Sequence, residues 1–392
     1  MKQTRSGRVS FSRADSPIES VVQQTAIAAL DQAFNELPVG TCLPGEGKLL
    51  ANIMLAVGCH LPAPHGVGEH VTDRAETITS SLVFIASLLT DTSRIKLGSG
   101  TVNLPNNHPA AVAAQVAMLD HLLEGRFLFG ISPGGLRSDA EVFGNLDADR
   151  TSMFVEAIDM VLKIWASAAP YRLEGKFWTV TTERTLDAAI GQGIIVKPFQ
   201  QPHPPIVVTA VAPFSKGVVA AAERGWTPIS ANFLQPPWVA SHWPKYVEGC
   251  TNAGRIANPA DWRVAKSIFV AEDAAMARRY ARDEGSPYRF YFRNLMKKLI
   301  GNGRPELFKH DRAMPDSAIT LDYVLDSLVI CGTVESVVDQ LLAFRETIGD
   351  FGTLLYAGHD WVDPVLSKRS MQLMAEEVLP RVNDAIKCEG KR

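Results

Sequence analysis

No apolar run in this sequence approaches the ~18 residues that a membrane-crossing helix needs. No apolar stretch follows the basic, serine-rich start (Lys2, Arg5, Arg8, Arg13), as a secretory signal would require. Cysteine is scarce. The five residues, Cys42, Cys59, Cys250, Cys331 and Cys388, are scattered, odd in number and without CxxC spacing. That argues against a disulfide framework and against a thiolate metal site, so no metal is expected and the thiols read as reduced, in the cytoplasm. An excess of one charge is also missing. Lys and Arg number 39 against 42 Asp and Glu, for a net charge of −3, and no basic face stands out. Neither nucleic acid nor a membrane is therefore an expected partner. Short catalytic signatures are absent as well: there is no P-loop, no HExxH, no GxSxG and no dinucleotide GxGxxG after a strand.

What the chain does have is alternation of strand and helix. It is clearest over residues 95–144. Ile95, Lys96 and Leu97 open a short apolar strand that runs into Gly98, Ser99, Gly100 and Thr101, and Pro105 with Asn106 and Asn107 breaks it. Residues 108–123 form a helix with Ala, Val, Met and Leu at helical spacing, ended by Gly125. Residues 126–131 are a second buried strand, Ser132 to Gly135 a loop, and another helix begins near Ser138. Two buried strands joined by one helix make a parallel βαβ unit. Ligands of such folds bind at the carboxyl ends of the strands.

The same alternation continues. Helices are expected over 79–89 (capped by Thr77 or Thr79), 149–166, 215–224, 236–253, 274–282, 288–300, 333–347 and 364–382. Strands are expected over 206–210, 227–231, 262–270 and 353–357, with a hairpin over 171–180 and a polar loop over 301–317. No clean linker interrupts this, so residues 51–392 read as one α/β domain with a parallel sheet, and residues 1–50 as a poorly defined N-terminal segment. At 392 residues, a (β/α)8 TIM barrel with insertions fits the length.

The segment LGSGTVNLPNNHPAAVAAQVAMLDHLLEGRFLFGISPG resembles the signature of the bacterial-luciferase-like flavin monooxygenases, in the branch that includes limonene monooxygenase. The similarity runs from about residue 68 to about residue 383. It implies a TIM barrel that takes reduced FMN from a separate flavin reductase. It also implies reaction of that flavin with O2 to a C4a-peroxyflavin, insertion of one oxygen atom into a small apolar substrate, and a homodimer. Two other readings stay open: an F420-dependent oxidoreductase of the same superfamily, and a non-catalytic flavin-binding homologue. The latter arises because the first βα unit is atypical. Too few residues lie between Val57 and Val67, two of them prolines, for a crossover of at least ~10–12 residues. Either that unit is irregular or the upstream reading frame is not the ancestral one.

Candidate site residues fall where strands end. Gly68-Glu69-His70 resembles the family's strand-2 terminus, which implies catalysis by His70; an imidazole neutral near pH 7 can take or give a proton. Ser99, Thr101 and Asn103 share one strand face and can hydrogen-bond a flavin's pyrimidine edge, although strand-end capping explains the same residues. Ser132 and Gly134 end the next strand, where glycine lets backbone approach a planar ring. Arg137 then opens a helix toward a phosphate or the substrate. Ala212, Ser215 and Lys216 join a strand to a helix whose first amides can hold an anion, and the resemblance implies that the flavin phosphate binds in such a loop. Tyr291, among Tyr288, Phe290, Phe292 and Phe351, can wall an apolar substrate pocket, though aromatics at this spacing also make plain core. His359 and Asp360 follow the last strand and can orient substrate. His108 shapes a helix start and carries no chemistry.

Overall fold

The computed structural model describes residues 56–57, 69–73, 78–90, 92–93, 96–358 and 362–389. The expected N-terminal segment 1–50, and His359 and Asp360, lie outside the described residues. The strands in chain order are β1 (Ala56–Val57), β2 (Leu97–Gly98), β3 (Val102–Asn103), β4 (Phe127–Ser132), β5 (Arg172–Glu174), β6 (Thr179–Thr181), β7 (Ile206–Ala210), β8 (Thr227–Ser230), β9 (Arg263–Val270), β10 (Val329–Gly332) and β11 (Thr353–Gly358).

Nine of these form one curled parallel sheet in the order β1-β11-β9-β8-β7-β4-β2, with β3 also on β4 and β10 also on β9. The physical cause is legible in β4 and β9. FLFGIS is a nearly continuous apolar run, and RVAKSIFV is apolar but for Arg263, Lys266 and Ser267; both are buried along almost their whole length, as strands covered on both faces must be. The inner face is filled by Leu128, Val207, Ile229, Ala265 and Leu355, one from each of five strands. Their outward-facing neighbours pack under the helices. This is the wall of a (β/α)8-type barrel. Among the described residues no strand joins β2 to β1. The hairpin β5–β6 is antiparallel and stands apart from this sheet.

Several boundaries differ from expectation, each for a local reason. The helix expected from residue 79 runs Ser81–Ser87 and is capped by Ser80, not by Thr77 or Thr79. The Glu69 carboxylate takes both the Ser81 amide and its hydroxyl and so pins the first turn there. The helix expected over 236–253 is two, Pro236–Ala240 and His242–Asn252. Pro244 has no amide to donate across the break, and the Ser241 hydroxyl donates to the Trp238 carbonyl instead. Leu321–Leu328 is a helix that the periodicity had left unassigned. Thr320 caps it, and Val324, Leu325 and Leu328 are buried.

One buried charge in this scaffold gives a testable consequence. Lys266 on β9 is 2% exposed, with no carboxylate partner among the described residues, and its ammonium lies 4.9 Å from the centre of the Phe344 ring. Burial lowers its pKa from 10.5 to about 8. Between those values the unfolded chain binds the proton more tightly than the folded one. The penalty therefore stands in full below pH 8 and is relieved as pH rises toward 10.5. Lys266→Met, similar in length and apolar, is expected to stabilise the fold by about 1–3 kcal/mol at pH 7. Thermal denaturation should show that advantage shrinking between pH 8 and pH 10.

Candidate active site

The cavity at the carboxyl ends of the strands has a volume of about 850 Å³, within the ~300–1,000 Å³ usual for small-molecule sites. One wall comes from β2, β3 and β4. The Ser99 hydroxyl donates to the Gly130 carbonyl (2.8 Å) and accepts from the Gly130 amide (2.9 Å), lacing the two strands together. Only glycine fits at 130, because an added Cβ would stand 1.8 Å from the Ser99 carbonyl oxygen. Above this, the Thr101 hydroxyl donates to Ser132 Oγ (2.7 Å), and Ser132 donates to Asn103 Oδ1 (2.8 Å). Asn103 Nδ2 donates to the Glu69 carbonyl (3.0 Å), and the Asn103 amide to Glu69 Oε1 (2.9 Å). Gly134 donates its amide to Ser132 Oγ (3.0 Å). Thr101, Asn103, Ser132 and Gly134 are thus one connected polar patch, and Ser99 serves as strand lacing on the same wall.

His70 stands beside that patch. Its Nδ1 lies 2.9 Å from Oδ2 of Asp139, which is 3% exposed. The Thr72 amide (2.9 Å) and hydroxyl (2.6 Å) donate to the other carboxylate oxygen. Burial pushes the Asp139 pKa up, but the hydrogen bonds and charge from His70 and the bonds from Thr72 outweigh it, and the net shift is downward. An ionised Asp139 fixes Nδ1 of His70 as the N–H nitrogen and leaves Nε2 as the basic one.

The loop after β7 forms a second rim. Ala212 and Ser215 line the cavity. Ser215 starts the helix Lys216–Glu223 with no side-chain cap bond of its own. The loop is held from behind. His242, fully buried, contacts the Ala212 carbonyl through Nε2 (2.9 Å) and Ser230 Oγ through Nδ1 (2.8 Å). The Trp262 indole donates to the same serine (2.9 Å). Burial drives the His242 pKa from 6.5 down to about 4, so the ring is neutral and acts as a two-ended brace. Phe214 carries a left-handed φ of 54°, uncommon for a bulky residue, and its amide donates to Ser241 Oγ (2.9 Å).

The third wall is the inserted helix Pro287–Gly301 and the turn after it. Tyr291, Leu295, Lys298, Leu299, Asn302 and Arg304 all reach the cavity. Lys298 pairs with Asp73, which ties this helix to the His70 segment. Arg304 contacts the Val211 carbonyl at 3.4 Å. Tyr288 and Phe292 of the same helix turn away into a buried core.

Of the residues singled out in the sequence, the structure brings His70, Ser99, Thr101, Asn103, Ser132, Gly134, Ala212, Ser215 and Tyr291 to one cavity. It does not bring Arg137 or Lys216 there; both are exposed and off the lining. Residues that the sequence reading passed over are Glu69, Asp139, Arg150, Asn232 and Lys298. Arg150 opens the helix Arg150–Ala166 and donates through Nη2 to the Pro133 carbonyl (2.7 Å), beside Gly134. Its Nε is buried without a partner.

Fold and cavity together define a barrel enzyme with its site at the carboxyl ends of the strands. The chain belongs to the luciferase-like monooxygenase family, whose model matches residues 65–350, and is a flavin-dependent monooxygenase. It is 31% identical over 326 residues to 4-hydroxyprotoasukamycin monooxygenase of Streptomyces nodosus subsp. asukaensis, covering 82% of each chain. It is 29% identical to limonene 1,2-monooxygenase of Rhodococcus erythropolis, over 81% of this chain and 76% of that one. A solved structure of similar fold is the oxygenating constituent of 3,6-diketocamphane monooxygenase of Pseudomonas putida, a type II Baeyer–Villiger monooxygenase in complex with FMN. Its TM-score is 0.72 at 26% identity, with 81% of this chain and 87% of that one covered.

Proposed function

We propose that the protein is the oxygenase component of a two-component system. It takes reduced FMN from a separate flavin reductase and inserts one oxygen atom of O2 into a small apolar organic substrate. The observation that carries this is the distribution of chemistry in the cavity: a connected polar patch at the ends of β3 and β4 and the loop after β7 face apolar groups such as Phe84, Phe154, Phe233, Leu295 and Leu299, with Lys298, Asn302 and Arg304 at the far rim. The residues present fit the cofactor. Arg150, behind Gly134 and one residue from Thr151 of the lining though not itself on it, has a buried donor without a partner, and the helix Lys216–Glu223 presents uncapped amides behind Ser215. These would hold the phosphate, with Gly217 leaving the approach open. Asn103, Thr101 and Ser132 would meet the polar edge of the ring.

Bound reduced FMN supplies the two electrons that activate O2. The protein does the rest. Asp139 sets the His70 tautomer, and His70 Nε2 takes and returns a proton at the mouth of the cavity. Leu295, Leu299 and Phe233 keep water from the reacting atoms. Anaerobic titration with reduced FMN, with oxidised FMN and with F420 tests the reading. Tight binding of reduced FMN alone supports it; binding of F420 in preference would replace it with a deazaflavin oxidoreductase.

A homodimer belongs to the same proposal. The helix Pro109–Leu122 has one charged residue, Asp120, and that residue is buried against Gln200. Its outer face exposes Met118 (63%) and Leu122 (49%). An uncharged outer face of this kind is covered in most proteins, and a two-fold axis lets one face cover itself. Met118→Glu is expected to shift the sedimentation coefficient from dimer to monomer without loss of fold by circular dichroism.

A further inference from the structure

Glu69 lines the cavity next to His70 and takes no part in the chemistry proposed for it. We infer that Glu69 is a positioning residue: it fixes which atoms of the polar patch donate and which accept, and so sets the patch to receive an imide edge, a ring N–H beside a carbonyl. This rests on the reading of that patch as the seat of the flavin's polar edge and names the residue that orients it.

The direction of each bond in the patch follows from two main-chain groups whose roles cannot reverse. The Glu69 carbonyl can only accept. The end of the Asn103 carboxamide that meets it at 3.0 Å is therefore the nitrogen, and Oδ1 faces Ser132. The Gly134 amide can only donate, so Ser132 Oγ accepts from it. Ser132 then spends its proton on Asn103 Oδ1 (2.8 Å), and Thr101 spends its own on Ser132 (2.7 Å). Among the described residues, the second N–H of Asn103 and the lone pairs of Thr101 are left for a ligand. They lie on one strand face. A donor beside an acceptor matches a carbonyl oxygen beside an N–H.

Glu69 holds Asn103 a second time. Its Oε1 accepts from the Asn103 main-chain amide (2.9 Å), and Oε2 accepts from the amide (3.2 Å) and hydroxyl (2.9 Å) of Ser81 at the start of the helix Ser81–Ser87. Ser81 is fully buried and Asn103 nearly so. One side chain thus clamps the end of β3 to the turn that carries His70. Without the carboxylate the Asn103 amide has no other acceptor among the described residues. Asn103 then shifts to find one, and its carboxamide is released from the Glu69 carbonyl. Once released it can turn over, which reverses the relay and presents the opposite polarity to the ligand.

The test compares anaerobic binding of reduced FMN with that of reduced 3-methyl-FMN, whose methyl group replaces the ring N–H. The ratio of the two affinities cancels any general loss of binding. The wild type should prefer FMN by about 10–100-fold. Glu69→Met and Glu69→Ala, which remove the acceptors, should cut the preference to below about 3-fold. Ser81→Ala loosens only the helix side of the carboxylate; it should lower the melting temperature and keep the preference. A preference retained in either Glu69 variant, an equal fall in Ser81→Ala, failure of both Glu69 variants to fold, or a wild type that binds both flavins alike would overturn the assignment. The last result leaves the monooxygenase reading standing. If the wild type does not bind reduced FMN, that reading falls, and the Asn103 carboxamide resonances of the flavin-free protein decide the role of Glu69. They should move in Glu69→Met and stay in Ser81→Ala; resonances unmoved in Glu69→Met would overturn it.

Discussion

Changing His70 to Gln is expected to slow product formation by about 10²–10⁴-fold, the range for loss of one general acid–base group, while reduced FMN still binds. The expectation follows from geometry. Asp139 is nearly buried, ionised, and bonded to Nδ1 of His70 at 2.9 Å, with Thr72 holding its other oxygen. That arrangement spends three groups on fixing one ring. Glutamine keeps a donor and the approximate volume but cannot cycle a proton near neutral pH. Reduced flavin should then be consumed with less product and more hydrogen peroxide. Asp139→Asn tests the positioning role separately. With the anion gone, the activity profile should move toward lower pH, because His70 loses the charge that favours its protonated form. A profile that stays in place, with an unchanged rate, would show that the pair is only structural.

The second large effect concerns the phosphate. Arg150→Met is expected to weaken reduced-FMN binding by about 10–150-fold, corresponding to the ~1.5–3 kcal/mol of a hydrogen bond to a charged group. Riboflavin, which has no phosphate, should bind wild type and variant alike. The control matters because Arg150 also donates to the Pro133 carbonyl, so a general loss of loop order would weaken both ligands. An equal loss for FMN and riboflavin would assign Arg150 to the loop and not to the phosphate.

The sequence was most legible where structure is local. Residues 95–144 reveal strand, helix and strand because Phe127 to Ile131 is a continuous apolar run, Ile95 and Leu97 alternate with Lys96 before the glycines, and the helix ends at a glycine with φ of 81°, Gly125. Ser99, Thr101 and Asn103 could be placed on one face by alternation alone. Tertiary pairing was not legible. His70 meets Asp139 across 69 positions, Asn232 meets Ser267 across 35 and Tyr291 across 59, and Lys298 meets Asp73 across 225. No spacing rule connects such residues. Asp139 reads in sequence as an acidic residue in the first turn of the short helix Arg137–Val142, a place favoured by the helix dipole, and so it drew no notice. Arg137 and Lys216 drew notice as cations next to loops, but exposed side chains at helix starts are free to point into solvent. The helix Leu321–Leu328 was overlooked because it follows a long polar stretch, although Thr320 and the apolar spacing behind it carry the signal.

The most direct measurement is a single turnover of the protein with reduced FMN under ¹⁸O2, in the presence of the best-bound of a panel of small apolar organic compounds, followed by mass spectrometry of the product. The account expects one labelled oxygen atom in the product, the other having left as water. A product without label, or hydrogen peroxide formed in full from the reduced flavin with every compound of the panel unchanged, would contradict it.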